Sequence, residues 1–255
     1  VESGKILNIQ GQDSNVLHVL QLTGMIIAKP GSVVIFKNLH IKESQFHDLF
    51  TSNPANKNDS NYSQFFLKKG LLVLGGGTDS ANEKTFSSAN GQFDVLDTDD
   101  NLIDLKYGFG DHPLIILENV KISKYGETSD VNAVTFYQTN NISNLNVNGT
   151  TYSTSISNLE IFSSKEDGIE VNGGNINLNN ITVNSAVNDY FIVKNGHSGT
   201  INTVNFILPS SQDSKLLTLG STDTNDAITT SNISGITIDV VCLLYTSDAA
   251  DDWFC

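Results

Sequence analysis

A short motif recurs along this chain and constrains its fold more than any other feature. It reads apolar, any residue, Asn, apolar, any residue, apolar, and its copies begin at Phe36, Leu117, Ile142, Ile156, Leu178, Ile201 and Ile233. Thr203 and Gly235 stand at the Asn position of the last two copies. From Ile156 onward the copies begin 22, 23 and 32 residues apart, which is typical of a solenoid of stacked turns. The 14-residue step from Ile142 to Ile156 is too short for a full turn, so one of these copies is predicted to lie in a loop.

The Asn of the motif is predicted to be a corner between two strands. Side chains alternate along a straight strand, so the apolar residues before and after the Asn would otherwise face opposite sides. A residue at positive φ removes this conflict, and Asn adopts positive φ more readily than most other residues. We therefore predict corners at Asn119, Asn158 and Asn180, with stacked amides hydrogen-bonded in a ladder.

A second strand is predicted to follow each late copy of the motif. Its residues form two inward columns: Val134, Ile169, Phe191 and Leu217, and then Phe136, Val171, Val193 and Leu219. The residues between them are predicted to form an outward face: Thr135, Glu170, Ile192 and Thr218. The pattern predicts an all-β fold, a right-handed parallel β-helix of about seven to nine rungs similar to that of pectate lyases.

The chain is predicted to hold one domain and a foreign tail. Residues 1–241 would form a single, truncated β-helix from which loops project at about 42–64 and 76–101, both rich in Asn, Ser and Asp. The segment Cys242 to Asp251 matches, residue for residue, a translated transposase sequencing adapter, so we predict that residues 242–255 are not native. Both cysteines and the Trp lie in this tail, and no disulfide is predicted.

Charge and hydropathy exclude two classes of partner. The chain carries 28 acidic and 14 basic residues, a net charge of −14, and every basic residue is Lys. Phosphate backbones require clustered cations, so nucleic acid is excluded as a partner. No apolar run approaches the roughly 20 residues of a membrane helix, so no membrane span is predicted in this sequence.

Four acidic residues form the candidate ligand site: Glu166, Asp167, Glu170 and Asp189. Asp167 and Asp189 fall at equivalent places on adjacent rungs, about 4.8 Å apart in their backbones. Stacked carboxylates repel each other unless a cation or a proton lies between them, and Ca²⁺ prefers oxygen ligands. The two residues are therefore the candidate calcium ligands. The alternative is that they are turn residues that cap backbone amides.

The segment Glu166-Asp-Gly-Ile-Glu-Val-Asn-Gly-Gly-Asn-Ile-Asn177, together with Asn188-Asp189 and Gly196-His-Ser-Gly199, carries a family resemblance. From about Leu105 to Leu208 the chain resembles a family of lipoproteins and secreted β-helix proteins of marine and gut bacteria. The resemblance implies a β-helix that bacteria export to the cell surface or the medium.

Catalysis is the less favoured reading of the acidic residues. A polysaccharide hydrolase would need two carboxylates, for which Glu170 and Asp189 are candidates, with Lys194 or His197 as the base or as a charge stabiliser. β-Helix pectate lyases typically use an Arg base, and the chain contains no Arg. The Gly-His-Gly motif of polygalacturonase-type hydrolases is also absent, so no catalytic residue is assigned.

The leading hypothesis is a secreted or cell-surface scaffold that binds polysaccharides or other surface molecules through its outward face. Tyr137 and Tyr190 would serve as stacking platforms if they are exposed. A structural spacer and a phage tail-fibre segment are the alternatives from other classes. The acidic charge argues against anionic glycans unless Ca²⁺ bridges them.

Overall fold

The computed structural model describes residues 1–22, 25–43, 70–86, 95–96, 102–103, 105–125, 132–209, 214–220 and 229–241. Within these ranges the chain is almost entirely β-strand, with one short 3-10 turn at Ser80–Asn82 and no α-helix. Nearly all of the first predicted loop, 42–64, lies outside the described residues. Half of the second, 76–101, is described, and that half includes the short strands Lys84–Phe86 and Val95–Leu96. The whole of the tail 242–255 lies outside the described residues, so its foreign origin stays a prediction.

Twenty strands make up the described part of the chain. They are β1 Ile6–Gln10, β2 His18–Leu22, β3 Ile26–Ala28, β4 Val33–Glu43, β5 Leu71–Leu74, β6 Lys84–Phe86, β7 Val95–Leu96, β8 Leu102–Ile103, β9 Leu105–Tyr107, β10 Leu114–Ser123, β11 Val134–Tyr137, β12 Leu145–Val147, β13 Thr150–Tyr152, β14 Ser155–Ser164, β15 Ile169–Asn172, β16 Leu178–Ala186, β17 Phe191–Lys194, β18 Thr200–Pro209, β19 Leu217–Gly220 and β20 Asn232–Val241.

Two parallel sheets form the body of the molecule. The first runs β1-β4-β10-β14-β16-β18-β20, with β2 also paired to β4, and the second runs β3-β5-β11-β15-β17-β19. From β10 onward the chain alternates between them, as each rung of a parallel β-helix requires. The prediction of an all-β parallel β-helix is confirmed. Its right-handed sense is what we expect of parallel crossovers in general.

The long strands of the first sheet turn a corner at the Asn of the motif. Asn119, Asn158 and Asn180 have φ of 55°, 52° and 53°, and strand pairing skips over them. The Asn119 side-chain Nδ2 donates to Asn38 Oδ1 at 3.0 Å, and Asn180 Nδ2 donates to Asn158 Oδ1 at 2.5 Å. Each long strand therefore contributes two faces of the solenoid, one before and one after the corner, and the second sheet contributes the third.

The inward columns of the second sheet have the predicted register. Val134 pairs with Ile169, which pairs with Phe191, and all three side chains are fully buried. Leu219 differs from the prediction because it is 56% exposed. Among the described strands, β19 pairs with β17 alone, so one side of its column lacks a covering rung.

The motif copy at Ile142 is not a rung. Strands β12 and β13 form an antiparallel hairpin whose two-residue turn, Asn148 and Gly149, has φ of 52° and 84°. Such turns favour Asn-Gly because both residues adopt positive φ. The hairpin residues Ile142, Val147 and Tyr152 pack against an apolar patch on the outside of the first sheet that contains Ile35 and Ile116. The copy at Ile156 begins the next rung.

A second antiparallel segment covers part of the outside of the second sheet. Strand β9 pairs with β6, and Leu105 is fully buried against the outward residues Leu72 and Leu74 of β5. A Cβ at Gly76 would lie 2.1 Å from the backbone oxygen of Gly110, so the run Gly75–Gly77 permits a close backbone contact. Backbone hydrogen bonds hold this run, from the Gly75 N–H to the Tyr137 oxygen and from the Gly77 N–H to the Gly110 oxygen.

Candidate functional site

The four candidate acids lie where the strands of the second sheet begin. Asp167 and Asp189 occupy the same place on successive rungs, two residues before the paired Ile169 and Phe191. The Asp189 backbone N–H donates to Asp167 Oδ1 at 2.8 Å, and Thr218 Oγ1 donates to Asp189 Oδ2 at 2.8 Å. Each carboxylate therefore accepts a hydrogen bond from the next rung, and the Asp167 carboxylate caps a backbone amide, as the turn-residue alternative describes.

The Asp167 carboxyl sits in an environment that disfavours its charged form. Burial raises its pKa from an ordinary value of 3.8 to about 6, and the negative charges of Asp189, Glu166 and Glu170 act in the same direction. The hydrogen bond from the Asp189 amide opposes this rise. Asp167 is therefore about half protonated in mildly acidic solution, which relieves the repulsion between the stacked carboxyls.

Glu170 is not available to a ligand, contrary to the expected outward face. It is 6% exposed, its Oε1 lies 2.9 Å from Lys194 Nζ, and its Oε2 accepts from Asn132 Nδ2 at 2.9 Å. Thr135 and Ile192, its neighbours in the outward column, are also buried. The side chains point away from the inner core as predicted, but this face is buried and has little contact with solvent. Buried charge requires a partner, and Lys194 provides it.

Calcium binding at Asp167 and Asp189 stays a prediction. Within the residues that the structure describes, no group of three or more His, Cys, Asp or Glu side chains is arranged to hold a metal ion. The two stacked carboxylates already accept hydrogen bonds from an amide and a hydroxyl. Ca²⁺ takes six to eight oxygen ligands, so we derive no chemistry through a cation here.

The candidate bases are held in structural contacts. His197 is fully buried, its Nδ1 lies 2.6 Å from Ser231 Oγ, and its Nε2 lies 3.0 Å from the Ile176 carbonyl oxygen. Burial lowers the pKa of His197, which favours the neutral ring. Lys194 is engaged by Glu170. The structure thus pairs the buried Glu170 carboxylate with the part-buried Lys194 ammonium, and it holds His197 between Ser231 and the Ile176 carbonyl.

The two tyrosines do not form exposed stacking platforms. Tyr190 is fully buried against Phe206, with ring centroids 6.1 Å apart. Tyr137 is half-buried, and its ring lies 5.5 Å from that of Tyr107 in the covering segment. Both rings therefore contribute to packing.

A different surface is open, and the sequence reasoning did not single it out. It lies on the outside of the first sheet before the Asn corner, and we call it the amide face. Its two columns are Ser155, Asn177, Thr200 and Asn232, and then Ser157, Asn179, Asn202 and Ser234. All eight side chains are uncharged and are exposed or half-exposed. The signal was present in the motif, because its second residue and the residue before its first must both point outward.

No helix in the described part of the chain is long and apolar enough to cross a membrane.

Comparison with known proteins supports the fold and goes no further. Neither curated proteins nor solved structures give a significant match. A family model for a pectate-lyase-like β-helix domain matches residues 125–252, which is just over half of the chain and includes most of the tail. The chain therefore belongs to the family of pectate-lyase-like β-helix domains.

Proposed function

We propose that this chain is a binding scaffold, secreted or held at a bacterial cell surface, that engages glycans or other surface molecules without cleaving them. One observation carries the proposal: Glu170, Lys194 and His197, the candidate acid and bases, are engaged by other groups of the protein. Glu170 and Lys194 neutralise each other, and His197 is buried between Ser231 and a backbone carbonyl. General acid–base catalysis requires a group within reach of the substrate. Glu170 and His197 are buried, and the part-buried Lys194 is held by Glu170.

The repeat supports binding of an extended molecule. Successive strands of a sheet lie about 4.8 Å apart, so equivalent side chains recur at that interval along the solenoid axis. Strands β14, β16, β18 and β20 continue in register over the whole amide face. A polymer laid along such a face makes many weak contacts at once, and these add to a useful affinity.

A structural spacer is the second candidate, and the burial of Tyr190 and Tyr137 favours it. Aromatic platforms are common in binding surfaces, and these two rings are used for packing instead. The stacked corners, with their Asn side-chain bonds, would serve equally well to hold another domain at a distance.

Affinity gel electrophoresis against soluble neutral and acidic polysaccharides separates these functions. The scaffold hypothesis predicts retarded migration in at least one polysaccharide, with no new reducing ends or unsaturated products after long incubation. Any retardation by an acidic glycan should disappear with a chelator. Product formation that Asp189→Ala abolishes would refute the non-catalytic role, and unchanged migration in every gel would favour the spacer.

A further inference from the structure

The amide face differs from the rest of the molecular surface in its charge. The chain as a whole carries a net charge of −14, yet the eight side chains of this face are all amides or hydroxyls. On the same two columns, the preceding rungs carry the Lys37–Glu118 ion pair and the hairpin-covered Ile35 and Ile116. The neutral region is therefore confined to the four rungs from β14 to β20, and the hairpin bounds one end of it.

Hydrogen bonds between rungs hold the amides of this face in fixed orientations. Asn202 Nδ2 donates to Asn179 Oδ1 at 3.1 Å, and Ser234 Oγ donates to Asn202 Oδ1 at 3.0 Å. The Thr200 backbone N–H donates to Asn177 Oδ1 at 2.8 Å. In Asn177 and Asn179 it is the oxygen that bonds to the next rung, so the NH2 group points the other way. Side chains fixed before binding lose less entropy when a ligand arrives.

We propose that the amide face binds an uncharged, hydroxyl-rich polysaccharide that extends along the solenoid axis. Amides and hydroxyls both donate and accept hydrogen bonds, as sugar hydroxyls do. A neutral polymer also avoids the repulsion that the acidic chain exerts on anionic glycans. This inference rests on the proposed scaffold function and adds the face and the ligand class.

Two double variants test the face with matched charge. Asn177→Asp with Asn179→Asp keeps both oxygens that accept from the next rung, and it replaces two NH2 donors by carboxylate oxygens. The control, Asn184→Asp with Asn205→Asp, adds the same charge to the outward side of β16 and β18 beyond the corner, where both residues are half-exposed. Equal melting temperatures and circular dichroism spectra for the two variants establish that both are folded.

The probes are dextran, galactomannan, xyloglucan and hydroxyethylcellulose, with carboxymethylcellulose as the charged counterpart of the last. We expect the unmodified chain to be retarded by at least one uncharged polymer and less by carboxymethylcellulose than by hydroxyethylcellulose. The amide-face variant should bind at least about tenfold more weakly, because two hydrogen-bond donors are lost. The control should stay within about twofold of the unmodified chain.

Three outcomes would overturn the inference, and they differ in what they say about the scaffold function. Equal weakening in both variants, or in neither, would show that the polymer binds elsewhere while the scaffold function stands. Stronger retardation by carboxymethylcellulose would exclude a neutral ligand class but again leave the scaffold function intact. Unchanged migration in all five polymers would count against both proposals.

Discussion

The outer faces of the two sheets differ in their exposure to solvent. In the second sheet the outward column Thr135, Glu170 and Ile192 is buried, and a charged pair lies within it. In the first sheet the outward residues Asn179 and Asn202 before the corner remain exposed. Both faces obey the same alternation of side chains, so strand pattern alone does not decide which of them meets solvent.

Segments that are remote in sequence cover a part of each face. Strand β9 docks on the second sheet through Leu105 and Tyr107, whereas the β12–β13 hairpin covers only the apolar start of the first sheet at Ile35 and Ile116. Where β9 lies, the face carries the apolar residues Leu72 and Leu74. Where no described segment covers the face, it carries neutral polar residues, which need no partner from the protein.

The largest expected effect comes from breaking the covered ion pair. Glu170→Ala leaves the Lys194 ammonium without its carboxylate in a largely buried site, and we expect a loss of about 3–5 kcal/mol in the free energy of unfolding. Glu160→Ala removes the half-exposed partner of Lys121 and should cost no more than about 1 kcal/mol. Urea denaturation of both variants measures the difference. Equal losses would show that the second-sheet face is as open to water as the first.

The corner should respond to backbone conformation more than to side-chain identity. Asn180 has φ of 53°, and Ala at that φ costs about 1–2 kcal/mol, whereas Gly adopts it freely. Both Asn180→Ala and Asn180→Gly lose the amide bond to Asn158, so their difference isolates the backbone term. We expect the Gly variant to be the more stable in thermal melts. The reverse order would argue that this position is not strained.

The stacked carboxyls of Asp167 and Asp189 should give the stability of the fold a distinct dependence on pH. Because the folded-state pKa of Asp167 is raised to about 6, the folded chain binds the proton more tightly than the unfolded chain between about pH 4 and 6. Stability from this group is therefore greatest in acid and declines as the pH rises through 6. Part-exposure reduces the effect to about 1 kcal/mol.

Asp167→Asn isolates that contribution, because its side-chain oxygen still accepts from the Asp189 amide. His197 contributes a pH trend of opposite sign, since its lowered pKa makes the fold lose stability as the pH falls below about 6.5. The informative quantity is thus the difference between variant and unmodified chain in denaturant titrations from pH 4 to 7. The variant should gain relative stability as the pH rises, and a constant difference would contradict the raised pKa.

The smallest expected effect is on the amide face. Asn179→Ala removes the hydrogen bond that Asn179 accepts from Asn202, at an exposed position. It should change the free energy of unfolding by no more than about 0.5 kcal/mol. Chemical denaturation against the unmodified chain is the measurement. A loss above about 2 kcal/mol would mean that the side-chain hydrogen bonds of the amide face stabilise the fold. The spacer function would then gain support.

The fold followed from the sequence because its signals are local and repeated. The parity change at the motif Asn predicted bends where Asn119, Asn158 and Asn180 have positive φ, and alternation predicted which residues of Ile169–Val171 face inward. The β12–β13 hairpin could also have been predicted from the sequence, because Asn148-Gly149 between short alternating strands is a strong hairpin signal. The hairpin was not predicted because the segment that begins at Ile142 also matches the repeat motif.

The site was less predictable because it depends on packing between distant segments. Nothing near Glu170 in sequence indicates that Lys194, a rung later, and Asn132, a rung earlier, surround its carboxylate. The burial of Thr135 and Ile192 is likewise a property of the folded chain as a whole. The amide face was missed because only the Asn at each corner of the motif was considered, and not the outward residues beside it, such as Asn179 and Asn202.

Thiol labelling tests the central contrast between the two faces most directly. In a background with Cys242→Ser and Cys255→Ser, a single Cys would be placed at Asn179 or at Thr135, which is 5% exposed. Rates of reaction with a maleimide are measured in buffer and again in denaturant, where both thiols are free. We predict that Asn179→Cys reacts almost as fast in buffer as in denaturant and that Thr135→Cys reacts at least tenfold more slowly. Equal rates at the two positions in buffer would contradict a covered second sheet and an open amide face.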